Sequence, residues 1–270
     1  MKRILTFILT LTLALSFCVN SFAAATTATA SETQTGTSEA QTDTSKTQAG
    51  TSEAQTDTSK VQAGASYGIS NLSGAPDIVA ESAVVMDANT GTILYGKEAD
   101  TKRYPASITK VMTALLAVEN CKMSDVITYS NAAVNGIEAG SSTAGINVGA
   151  KLTVEDSLYA LMLVSANEAA AAIAEHISGS TTEFAKLMTK RAKELGCTNT
   201  QFKNPHGLPN EEHYTTAHDM GLILKEAMKH EEFRKISGTI SYTLKKSDTL
   251  KDTLELWNHA KILRENSDYY

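Results

Sequence analysis

Apolar residues are spread unevenly along this chain, and the unevenness divides it into three parts. A mainly apolar stretch from Ile4 to Val19 follows Lys2 and Arg3 and runs out at Ser21-Phe22-Ala23. From Ala24 to Lys60 there is no Val, Ile, Leu, Met or aromatic residue at all. Only beyond Pro76 do apolar positions recur at the spacings of secondary structure. Ser82 to Asp87 and Thr92 to Gly96 are short β-favouring runs around Ala88-Asn89-Thr90-Gly91, which predicts a hairpin. Ser107 to Asn120 has a helical pattern with apolar residues on nearly every side, as in a helix placed in the middle of a domain. Lys151-Leu152-Thr153 opens another predicted helix, with Thr153 and Asp156 at capping-box spacing and Val154, Leu158, Leu161 and Met162 as its core stripe. An Ala-rich helix follows from Asn167 to Ile177, closed near Gly179, and then one from Thr182 to Leu195, ended by Gly196. Thr216 and Asp219 form a second capping-box pair for a helix over Ala217 to Lys229, and Thr239 to Leu244 reads as a strand. A strand pair, a buried helix, a helical lobe and returning strands predict an α+β fold rather than alternating α/β.

The apolar opening reads as a signal peptide over residues 1–23. Its apolar run of 16 residues is short of the ~20 needed to cross a bilayer, and Ser21-Phe22-Ala23 suits a signal peptidase. Phe17 before Cys18 is not the small residue a lipoprotein site wants. Residues 24–76 read as a disordered Thr/Ser/Ala/Gln-rich linker, whose stretch from Ala24 to Lys60 cannot bury enough apolar surface to offset its ordering entropy. Within it Thr37 to Lys46 recurs unchanged as Thr51 to Lys60, a 14-residue period too polar to stack as a solenoid. The folded domain therefore occupies residues 77–270. The formal charge of −6 carries no basic face, so no nucleic-acid partner is expected. Cys121 and Cys197 could pair in an oxidising compartment or stay as buried thiols, and no cysteine-based zinc spacing exists.

Two short motifs carry candidate chemistry. Ser107-Ile108-Thr109-Lys110 sets a hydroxyl and an amine three residues apart at a helix start, where i and i+3 share a face. Serine needs a partner to take its proton, and a lysine can serve if burial lowers its pKa from about 10.4 toward neutrality. The alternative is an N-cap serine beside a solvated lysine. Ser165-Ala166-Asn167 lies on the turn between two predicted helices, where short polar side chains can be aimed into a cleft; here the alternative is capping of the Ala-rich helix by Ser165 or Asn167. His213, His218 and His230 form no zinc pattern, and His230-Glu231 lacks the second histidine of H-E-x-x-H.

From Ile78 to Leu263 the chain resembles the low-molecular-mass D-alanyl-D-alanine carboxypeptidases, the S11 family of serine peptidases. The resemblance is carried by Val84 to Tyr95, Tyr104 to Leu116, Gly140-Ser141-Ser142, Gly149 to Thr153, Leu163 to Ala169, Glu194 to Asn199, Phe202 to Leu208 (FKNPHGL) and His213 to Met220. It implies the serine β-lactamase/D,D-peptidase (transpeptidase-like) fold, an antiparallel sheet flanked by helices with a helical lobe. It makes Ser107 the acylated nucleophile, Lys110 its general base, Ser165 a proton relay and Asn167 a substrate-positioning residue. Ala166 fits the family pattern, whereas Glu168 stands where the family often has Asp. His206 belongs to a structural loop in that family.

The implied activity is penicillin-binding and hydrolytic, trimming the terminal D-Ala from peptidoglycan stem peptides outside the cytoplasm. β-Lactams would be inhibitors, and neither cofactor nor metal is needed. One departure stands out: no Lys-Thr-Gly or Lys-Ser-Gly occurs, and Lys235-Ile236-Ser237-Gly238 is one residue too long to replace it. The sequence is thus expected to stop short of that motif, of later sheet strands and of the family's C-terminal membrane anchor. The alternatives are a serine β-lactamase, or a non-catalytic, truncated wall-associated fragment.

Overall fold

The computed structural model describes residues 78–260 and Leu263; the signal-peptide and linker expectations, with the 14-residue repeat, lie outside the described residues. Strands β1 (Ala83–Met86) and β2 (Ile93–Lys97) pair antiparallel as the hairpin, with Val84 opposite Gly96 and an irregularity after Val85. Asp87 makes the turn: its Oδ1 accepts the N–H groups of Asn89 and Thr90, an Asx arrangement that needs no tertiary help. A 3-10 turn over Ala106–Thr109 leads into helix α1 (Lys110–Asn120). Strand β3 (Val126–Thr128), short helix α2 (Asn131–Asn135) and strand β4 (Lys151–Thr153) come next, β3 and β4 pairing antiparallel. Three helices then form the lobe: α3 (Val154–Leu163), α4 (Asn167–Ser178) and α5 (Thr181–Glu194). Helices α6 (Ala217–Ala227) and α7 (Glu231–Ser237) precede the second hairpin, β5 (Ser241–Leu244) and β6 (Leu254–Trp257). The fold is α+β.

Two helices hold the core together. Helix α1 is buried from Lys110 through Ala117 and packs against α3, α4, α5, α6 and α7. Helix α4 is buried from Asn167 through Ala174 and is surrounded by α1, α2, α3, α5 and β3. Its alanines leave the backbone close to every neighbour, which is why so short-chained a helix sits at the centre. Helix α6 reaches the first hairpin through Gly221, where a Cβ would come 3.0 Å from Val84 Cγ1 and 3.2 Å from Met86 Cε. Arg191 of α5 forks Glu119 of α1, with Nη2 2.6 Å from Oε1, and so fixes the lobe to the central helix.

Several sequence expectations are corrected here. Lys151-Leu152-Thr153 is a strand rather than a helix opening, because Leu152 and its neighbours pair with β3; the capping box of Thr153 and Asp156 then starts α3 as expected. The pair at α6 is only half a box. Thr216 accepts from the Asp219 N–H, but the buried Asp219 carboxylate accepts from Asn199 N and Thr200 Oγ1 instead of the Thr216 backbone. The predicted helix from Ser107 starts as a 3-10 turn, entered through a left-handed Ala106 at φ 47°. Strand β3, helices α2 and α7, and strand β6 were not anticipated. Cys121 and Cys197 are both free thiols.

The central position of α1 sets an expected ranking of losses. Leu115, fully buried in α1, should cost about 2–5 kcal/mol on truncation to Ala, whereas Thr153→Ala, which removes a helix cap, should cost about 1 kcal/mol. Urea denaturation of both variants checks this; equal losses would mean that α1 is not the centre of the core.

Candidate active site

Ser107 sits in the 3-10 turn, so three residues carry it through one full turn and Lys110 lies directly over it. Lys110 Nζ is 3.3 Å from Ser107 Oγ and donates to the His206 carbonyl at 2.9 Å. Only 3% of Lys110 is exposed. Burying an ammonium is costly, so desolvation drives its pKa down to about 7, against an upward pull from the Glu168 carboxylate. A large fraction of the amine is therefore neutral near pH 7 and able to accept the serine proton.

The turn is held from the other side by the segment 199–216. Thr113 Oγ1 donates to Pro205 O at 2.6 Å, and Asn204 Oδ1 accepts from Gly207 N at 2.7 Å. Gly207 has φ +85°, and a Cβ there would fall 1.8 Å from Ala106 O, so only glycine lets this segment lie against the residue before Ser107. His213 Nδ1 accepts the Lys203 N–H, which leaves its Nε2 to carry the proton and donate to Thr109 Oγ1 at 2.9 Å. Burial lowers the pKa of His213 to about 4 and, with Lys110 and His213 nearby, that of His206 also to about 4, so both rings are neutral. His206 Nδ1 accepts the Leu208 N–H, and its carbonyl takes Lys110; both contacts are those of a structural loop.

The second motif lies where α3 turns into α4. Ser165 is left-handed at φ 60°, and its buried Oγ has no hydrogen-bond partner among the described residues. A strained backbone and an unsatisfied buried hydroxyl, each costing about 1–3 kcal/mol, coincide in one residue. Neither Ser165 nor Asn167 caps α4; the N-cap is Ala166, without a side-chain bond, and Asn167 is buried with its N–H on Ser142 O. Ser107 likewise is not a helix cap, so the capping alternatives for both motifs fall away.

Glu168, next along, has a role that its position in the motif does not announce. It is 2% exposed, and its Oε1 accepts from Thr143 Oγ1 and Ala144 N, both at 2.7 Å, and from Gly145 N at 3.1 Å. Oε2 has no partner among the described residues. The carboxylate thus ties the loop 143–146 to the first turn of α4 while raising the pKa of Lys110 at the first turn of α1. A lone acid in an Ala run, NEAAAAIA, was the available signal, since a glutamate is almost never buried without partners. A groove of about 690 Å³ is lined by Arg103, Tyr104, Pro105, Ile108 and Tyr214 among others; neither Ser107 nor Lys110 lines it.

The profile of the family described as D-alanyl-D-alanine carboxypeptidase, peptidase S11, matches residues 70–269. The D-alanyl-D-alanine carboxypeptidase DacF of Bacillus subtilis (strain 168) is 42% identical over 177 residues, which cover 64% of this chain and 45% of that one. The D-alanyl-D-alanine carboxypeptidase of Streptomyces sp. (strain K15) is 35% identical over 200 residues, 70% of this chain and 68% of its own. The crystal structure of the Streptomyces K15 DD-transpeptidase superposes with a TM-score of 0.64 at 34% identity, covering 71% of this chain and 78% of that one. Penicillin binding protein 5 from Haemophilus influenzae gives a TM-score of 0.63 at 31% identity, covering 70% and 55%. The chain spans about half the length or less of several curated relatives that it matches.

The electrostatics of the site can be tested without assuming a reaction. With ¹³C-labelled lysine, the Lys110 Cε signal should titrate near pH 7. In Glu168→Gln, which keeps an acceptor oxygen but loses the charge, the midpoint should move to lower pH, because the group that favours the ammonium is gone. A midpoint near the ordinary value for lysine, or an upward shift in Glu168→Gln, would overturn the assignment.

Proposed function

The chain belongs to the peptidase S11 family of D-alanyl-D-alanine carboxypeptidases, and on that premise we propose that Ser107 and Lys110 release the terminal D-Ala of peptidoglycan stem peptides by acyl transfer. The observation that carries this reading is the buried amine of Lys110, its pKa lowered to about 7, 3.3 Å from the Ser107 hydroxyl. Within the packing of α1 the amine's bond to the His206 carbonyl is a small return for burying an ammonium-forming group, which favours a chemical use for it.

Lys110 takes the Ser107 proton as Oγ attacks the carbonyl of the penultimate D-Ala. The oxyanion that forms is met by the backbone N–H of Ser107 in the opening turn. The proton then passes to the leaving D-Ala nitrogen, with the Ser165 hydroxyl as relay, and the C–N bond breaks to leave an ester on Ser107. Water, activated by the same amine, hydrolyses that ester. Asn167 positions the substrate amide, and no metal enters the reaction. A β-lactam offers the same kind of carbonyl on a ring, so it acylates Ser107 and stays there because its leaving nitrogen remains tethered.

The family's Lys-Thr-Gly element does not occur within residues 1–270, so these roles are confined to the first two motifs. The substrate lies outside the cytoplasmic membrane, in keeping with the signal peptide read at residues 1–23. Among the described residues no helix is long and apolar enough to cross a membrane.

The test uses the protein expressed from its own gene. Benzylpenicillin should add its mass to a peptide containing Ser107, persistently, and Ser107→Ala should abolish the adduct. Lys110→Ala should slow acylation about 10²–10⁴-fold, and D-Ala should be released from a D-Ala-D-Ala peptide. Labelling that survives Ser107→Ala would sink the assignment. Rapid turnover of penicillin would favour a β-lactamase, and absence of both labelling and release would favour a non-catalytic protein.

A further inference from the structure

Helices α1 and α4 carry the two motifs at their N-terminal ends. Near their C-terminal ends the structure gathers three metal-ligating side chains of different chemistry. Cys121 ends α1, Asp125 lies in the turn before β3, and His176 stands in the last turn of α4. One ligand atom from each lies within 4.8 Å of the other two. We propose that Cys121, Asp125 and His176 bind a zinc ion that joins the far ends of α1 and α4.

The geometry is close to what zinc requires. With sulfur at about 2.3 Å and nitrogen and oxygen at about 2.0–2.2 Å, tetrahedral zinc holds its ligand atoms roughly 3.3–3.6 Å apart. Closing the present spacing asks for about an ångström of side-chain movement. His176 is exposed and able to turn, while Cys121 and Asp125 are half-buried. Asp125 is already fixed, since its Oδ2 accepts the Lys122 N–H at 2.9 Å and its backbone carbonyl accepts from Val154 N at 2.8 Å. Among the described residues no lysine or arginine pairs with it. A thiolate, an imidazole and a carboxylate, with water as fourth ligand, form a set that zinc accepts; the thiol proton passes to solvent on binding.

A second group of similar composition, Glu119, Glu226 and His230, fails on the same criteria. Arg191 forks Glu119 and lies 3.7 Å from Glu226, and Lys229 pairs with Glu226 at 2.6 Å. Cations already neutralise those carboxylates. Only the Cys121 group is without such partners, and because its members come from separate segments, no cysteine spacing in the sequence reveals it.

The test uses tag-free protein from its own gene, reduced and stripped with a chelator. Cobalt(II) should bind at one equivalent with a thiolate charge-transfer band in the near ultraviolet and the visible bands of a tetrahedral ion, both removed by zinc. Zinc at a hundredfold over its Kd should raise the melting temperature by roughly 5 °C. Cys121→Ser should abolish the near-ultraviolet band, and His176→Ala and Asp125→Asn should each weaken zinc binding roughly tenfold or more. Cys197→Ser should leave the band intact. Because His176 is exposed, His176→Ala should melt like the metal-free parent. No thiolate band, a band that survives Cys121→Ser, or unchanged zinc affinity in His176→Ala would each overturn the proposal.

Discussion

The burial of one amine organises this protein. Lys110 is placed where it is almost wholly buried, and the surrounding structure either keeps it there or responds to it. The His206 carbonyl gives Nζ a fixed acceptor, so the loop 203–207 must lie against the start of α1. That approach is possible only because residue 207 is glycine, and it is fastened by Thr113 on Pro205 and by Thr109 on His213. The loop is held at its other end by Asp219, whose carboxylate takes Asn199 N and Thr200 Oγ1 instead of closing its own capping box. A helix cap is left half-made so that a loop can be held, and the loop in turn holds the lysine.

The second influence on Lys110 is Glu168. Desolvation and a nearby carboxylate pull the amine in opposite directions, and the first prevails. The same carboxylate ties down residues 143–146, so loop position and amine basicity share one side chain. Changing either alone would be hard by mutation at this residue, since a shorter acid would have to reach the same loop donors from the same helix.

Much of this was legible in the chain. The hairpin was readable from two β-favouring runs around Ala88-Asn89-Thr90-Gly91, and α1 from apolar residues on nearly all its faces. Ser107 and Lys110 were readable from their spacing, because a helical turn brings positions three apart together whatever surrounds them. What could not be read depended on contacts between distant segments. Lys151 to Thr153 is too short for any period to separate strand from helix, and its pairing with β3 decides the matter. The carboxylate of Asp219 had a local partner at capping-box spacing but takes tertiary ones. For Ser165 the sequence left capping open beside a role in the site, and its left-handed, unpartnered state is visible only once the α3–α4 turn is built.

The alanines of α4 have a consequence for how such a protein can change over generations. Ala169 through Ala172 and Ala174 are all buried, with neighbours on every side. Side chains this small have nothing to trim, and enlarging any of them would push the backbone aside and carry Asn167 with it. Lineages that alter this site are therefore channelled away from the helix and toward its rim, to loops such as 143–146 and 203–207, where new side chains can be tried without moving the spindle around which the lobe is built.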